Sequence, residues 1–73
     1  MNDKVIQLAE HMYRDLAEDY VDMVQKLKRC KYSDQQAVQS ASLYISVQLE
    51  KRKVPVKDFN VAVAAELRRR GLL

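Results

Sequence analysis

His11 and Cys30 are the lone histidine and the lone cysteine of the 73-residue chain. Nucleophilic catalysis and metal binding both need such groups to converge. On one helix the nineteen steps between them span about 28 Å, too far to meet within a chain. His11 falls on a polar face and reads as a solvated residue. Cys30 reads as a small apolar filler near a helix end. One cysteine excludes an internal disulfide, and with one histidine it argues against a structural zinc site.

Four acids, Asp15, Glu18, Asp19 and Asp22, follow one another at helical spacing. Paired carboxylates bind divalent cations or move protons. Here no facing helix supplies a second carboxylate pair. Arg14 and Lys26 stand four residues from Glu18 and Asp22, within ion-pair reach. The ridge therefore reads as a solvated, salt-bridged face, with a docking surface for a basic partner as the alternative. The chain lacks a phosphate loop, a nucleophile elbow, HExxH and CxxC. The expectation is a protein that is not an enzyme, with no cofactor, no metal and no small-molecule substrate.

The bases gather at Lys26/Lys28/Arg29/Lys31, at Lys51/Arg52/Lys53/Lys57 and at Arg68/Arg69/Arg70. The net charge is +3, unevenly spread. Residues 1–24 hold six acids and two bases, a net −4; the rest hold eleven bases and four acids, a net +7. Cations at helix C-termini are favoured by the helix dipole, which accounts for such clusters without a ligand. The alternative is contact with a nucleic-acid backbone through Lys28, Arg29, Lys31, Arg68, Arg69 and Arg70, with Tyr32 as a stacking surface. Base-specific readout by a helix-turn-helix is disfavoured. The third helix offers Lys57 and Asn60 and then Val61, Ala64 and Ala65, a surface poor in donors.

The elements that must hold these residues follow from periodicity. Glycine and proline occur once each, at Gly71 and Pro55. Apolar residues from Val5 to Leu27 recur at helical spacing and predict one long amphipathic helix over about 3–29, capped by Asn2 or Asp3. Ser33 with Gln36 forms a capping box and opens a second helix over about 34–52. Pro55 ends it, and a third helix runs over about 57–70. Gly71 fits a Schellman stop, pairing Leu67 with Leu72. The fold class is all-α: one three-helix domain over residues 1–73.

Length and polarity bear on partners. A 27-residue helix is about 40 Å long, whereas a domain of this size is about 30 Å across. After Asp34 the segment "QQAVQSASLYISVQL" carries no charge. A helix uncharged on all sides is usually sandwiched. Its main face holds Ala37, Val38, Ala41, Tyr44, Ile45 and Leu49; Leu43 and Val47 form a second. The expectation is a helix packed on the first helix by one face and on the third helix or a second copy by the other. A dimeric helical bundle follows, since two-fold dimers are the commonest oligomers. Its interface is assigned to Val5, Ile6, Met12, Tyr13, Leu16, Tyr20, Met23, Leu43, Val47, Val61 and Ala65.

The first twenty residues are too charged for a secretory signal, and no apolar run reaches the roughly 20 residues of a membrane span. The chain is expected to be cytoplasmic and free of the membrane. The functional expectation is a helical protein–protein interaction module, a small homodimeric regulator or adaptor. A small nucleic-acid-binding regulator is the alternative.

Overall fold

A computed structural model describes Leu8 and residues 10–73. The described residues form helices and no strand. The three main helices are α1 (Arg14–Arg29), α2 (Asp34–Arg52) and α3 (Val56–Arg69). Residues 10–12 are also helical, but Tyr13 turns, with φ −110° and ψ 18°. The continuous helix expected across this point is therefore interrupted, although no glycine or proline stands there. Tyr13 packs against the core cluster of Leu16, Ile45, Leu49, Val54 and Phe59. The expected cap at Asn2 or Asp3 lies outside the described residues.

α2 begins and ends where expected. The Gln36 amide donates to Ser33 Oγ at 3.1 Å, and the Ser33 amide donates to Gln36 Oε1 at 3.1 Å. This reciprocal pair satisfies two amides that helix geometry leaves without partners. Pro55, at φ −62° and ψ 134°, is the N-cap of α3. Its fixed φ and missing amide suit a helix start.

All three helices stop in the same way. The Leu72 amide donates to the Leu67 carbonyl at 2.8 Å and the Gly71 amide to Arg68 at 3.1 Å. The same two bonds recur from Tyr32 to Leu27 and Lys31 to Lys28, and from Val54 to Leu49 and Lys53 to Glu50. Each is a Schellman stop, which needs one left-handed residue. Gly71 supplies it at φ 71° without a steric penalty. Lys31 at φ 70° and Lys53 at φ 53° supply it with a Cβ in the way. The Leu49–Val54 pair of the second stop lies in the core, so burial holds that turn.

α1 carries both other helices. Arg52 reaches Asp15 at 3.0 Å and Lys28 reaches Asp34 at 3.6 Å, so α2 runs antiparallel to α1. α3 returns along α1, with the Phe59 ring edge-on to Tyr20 at 5.7 Å between centroids and 85° between planes. The backbones of α2 and α3 come close at few points, and their side chains Ile45, Leu49 and Phe59 share the core with Leu16 of α1. The buried side chains of α2 are Ala37, Ala41, Ile45 and Leu49, a single row at steps of four. Of the two covers expected for the second face of α2, α3 is not the one: Leu43 and Val47 stay exposed beside it.

Replacing Lys53 by glycine tests the strained stop. A left-handed non-glycine residue costs about 1–2 kcal/mol, and the extra unfolded-state entropy of glycine returns about 0.5–1 kcal/mol of that. Lys53→Gly is expected to raise stability by about 0.5–1 kcal/mol, read as a higher urea midpoint. An unchanged or lowered midpoint contradicts the assignment.

Candidate functional site

The narrowness of the α1–α2 seam decides what α2 shows. Ala37 and Ala41 are fully buried and let the two backbones approach closely. With one row turned inward, the rest of the helix faces out. Leu43 is 74% exposed, Val47 49%, Tyr44 48% and Val38 43%. Among the described residues ten large apolar or tyrosine side chains are exposed, against six large apolar ones buried. Scattered exposed apolar residues are ordinary, but four within the uncharged run 35–49 of one helix are not.

Ser42 and Ser46 form a low saddle on this surface. On one side lies a concavity of ≈ 480 Å³ lined by Val38, Gln39, Ser42, Leu43 and Ser46. On the other lies a groove of ≈ 280 Å³ between α2 and α3, floored by Tyr20 and walled by Ile45, Phe59 and Val63 among others. Tyr20 and Val63 also line a wider groove of ≈ 690 Å³ toward the far end of α1. That groove takes in Val24, Leu67 and Leu72, with Lys28 and Arg29 at its margin. The Ser46 hydroxyl donates to the Leu43 carbonyl at 2.8 Å, so the saddle satisfies part of its own polarity.

The acids of α1 are drawn into pairs with cations from the ends of the other helices. Asp15 takes Arg52 and Asp22 takes Arg70 at 2.7 Å. Glu18 takes Arg14 at 2.8 Å, as its spacing predicts. Glu66 is a hub the sequence reading missed. It is buried and accepts from Arg69 at 2.7 Å and from Arg70 at 2.6 Å. Its signal was legible: Arg69 and Arg70 stand three and four residues on. The Arg70 hydrogen bond holds the Glu66 carboxyl below the usual glutamate range; burial opposes this and Arg69 adds to it. Arg52 lowers Asp15 in the same way, and Glu66 with Asp22 raises Arg70.

The assigned residues divide accordingly. Leu16 and Ala65 are buried within the chain itself and offer no surface to a partner. Tyr20 is engaged with Phe59. Tyr13, Met23 and Val61 are half-buried; Met12, Leu43 and Val47 are exposed. Val5 and Ile6 lie outside the described residues. Of the basic set, Arg68 reaches Glu10 at 3.8 Å, and Arg69 and Arg70 are held by Glu66. Lys28, Arg29, Lys31 and Tyr32 are exposed around the α1–α2 turn. His11 lines a shallow hollow with Glu10, Arg14 and Arg69, and Cys30 is exposed at the other end of α1. Among the described residues no three of His, Cys, Asp and Glu gather as a metal site requires, and no helix is long and apolar enough to cross a membrane.

No family model, curated protein or solved structure matches the chain.

Glu66 gives a pH-dependent prediction. A carboxyl whose folded pKa is depressed adds stability that is fully present above its unfolded value of about 4.3. That stability is lost as pH falls through the folded pKa. Glu66→Gln is expected to cost roughly 1–3 kcal/mol at neutral pH, because it takes the carboxylate from Arg69 and leaves Arg70 with Asp22 alone. It should also flatten the acid limb of a stability–pH profile below about pH 4.3. A variant with the wild-type acid limb would show that Glu66 does not act as the hub.

Proposed function

We propose that the protein is a non-enzymatic helical interaction module, a small dimeric regulator or adaptor of the cytoplasm. The uncharged, uncovered surface of α2 carries this reading. Four large side chains stand exposed there on one helix. A chain of this length buries only about 60% of its unfolded surface, and it has no disulfide to supplement its core. Covering α2 with another protein surface adds burial where the fold itself adds none.

A second reading rests on Lys28, Arg29, Lys31 and Tyr32, which stand exposed together at one turn. Phosphate contacts through these residues are compatible with their placement. The ion pairs of Arg68, Arg69 and Arg70 weigh against the wider basic patch, since each would have to break or be shared.

Sedimentation equilibrium from low to high micromolar concentration tests the first reading. The expected mass is near twice 8.5 kDa, with a melting temperature that rises with concentration. A monomer with a constant melting temperature overturns the dimer. Strongly salt-dependent binding to a mixed-sequence oligonucleotide, lost when Lys28, Arg29 and Lys31 become glutamine, would promote the second reading in its place.

A further inference from the structure

We infer that the saddle of α2 is the two-fold interface, and that a second copy seats its own α2 there in antiparallel orientation. This rests on the dimer reading above and specifies its face and direction. Gln39, Ser42, Leu43 and Ser46 stand at i, i+3, i+4 and i+7 and, with Val38, line the open hollow beside the saddle. Four residues at this spacing form the hole that receives one side chain of a facing helix in knobs-into-holes packing. The knob is on the same helix: Leu43 is 74% exposed and projects from the rim.

Knob and hole both lie at the midpoint of α2, which runs from Asp34 to Arg52. A two-fold axis there places each Leu43 in the other copy's hole, an isologous contact. A register with Ser42 opposite the partner's residue 43 sets Gln39 opposite residue 46 and Gln35 opposite residue 50. Serine on the saddle permits close approach, and its flank continues into the groove between α2 and α3, where Ser42 and Ser46 are again lining residues.

Charge selects the direction. On the outer side of α2, Glu50 is the first charge after the uncharged run. Parallel pairing stacks Glu50 on its own copy, and Lys51 and Lys53 on theirs. Antiparallel pairing instead gives Glu50 the Gln35 amide as donor and brings Lys51 and Lys53 toward the end that carries Asp34. The two helix dipoles then also oppose. A different protein would have to present an equally uncharged surface, because residues 35–49 offer no charge by which to steer or discriminate it.

Cross-linking in the full chain tests this. In a Cys30→Ser background, Ser42→Cys should yield a disulfide-linked dimer on mild oxidation, whereas Tyr44→Cys, exposed on the other flank, should stay unlinked. Leu43→Asp should convert the dimer to an 8.5 kDa species with unchanged helical circular dichroism, since Leu43 stands outside the core. A dimer that survives Leu43→Asp, or that links through Tyr44→Cys and not Ser42→Cys, overturns this interface and leaves the dimer reading standing. A wild-type monomer at all concentrations overturns both. A Ser42→Cys thiol that captures a different chain in cell extract assigns the face to another protein and overturns the self-pairing.

Discussion

Leu16 of α1 shares one core with Ile45 and Leu49 of α2, Val54 of the turn and Phe59 of α3. The backbones of α2 and α3 each lie close to α1 and approach each other at few points. The geometry of everything else depends on that core. α2 touches α1 along one row of four, two of them alanines, so it sits close and cannot turn a second face inward. α3 meets α1 through Phe59 and Tyr20, and it leaves α2 at the Lys53–Pro55 turn. The groove between them is the space that two helices on one support leave open. The ion pairs at the ends of the seam, Asp15–Arg52 and Lys28–Asp34, are exposed and worth about 0–1 kcal/mol each. Apolar burial, at roughly 1.5–3 kcal/mol per large side chain, decides the arrangement.

The uneven charge of the chain is partly spent inside it. The acidic ridge of α1 faces the basic ends of α2 and α3, so that Asp15 meets Arg52 and Asp22 meets Arg70. Along the sequence the bases are three clusters; in the fold Arg52, Arg68 and Arg70 are partners of acids thirty or more residues away. The helix dipole favours cations at those ends in any case. The fold adds a specific counter-charge for Arg52 and Arg70.

Elements with local signals were legible. The Ser33–Gln36 box and Pro55 bracket α2 because their chemistry is fixed within a few residues. Gly71 marks its stop for the same reason, whereas Lys31 and Lys53 adopt the same left-handed turn without any residue preference to reveal it. The break at Tyr13 was not legible, because no breaker residue marks it and the ring packs on a core drawn from all three helices. The inner row of α2 was half legible. Ala37, Ala41, Ile45 and Leu49 are inside as expected, but Val38 and Tyr44 are not. Apolar identity places all six in one arc. With no charge on either side to mark an edge, the neighbour's position alone decides which of them it covers.

The same lack of charge links folding to association. The described core holds six large apolar side chains and five alanines, none of the large ones wholly sealed. A standard interface removes about 800 Å² from each partner, a little over half of it apolar. At about 25 cal/mol per Å² that is roughly 11 kcal/mol of gross burial per chain, or roughly 22 kcal/mol for the pair. Lost translational and rotational freedom costs about 4–15 kcal/mol on association. The two figures are of the same order, so close fit rather than area has to decide whether α2 pairs. Serines at 40, 42 and 46 serve both states. They keep the uncovered helix wettable in the monomer, and being small they let a facing helix come close enough for Leu43 to fill a hole.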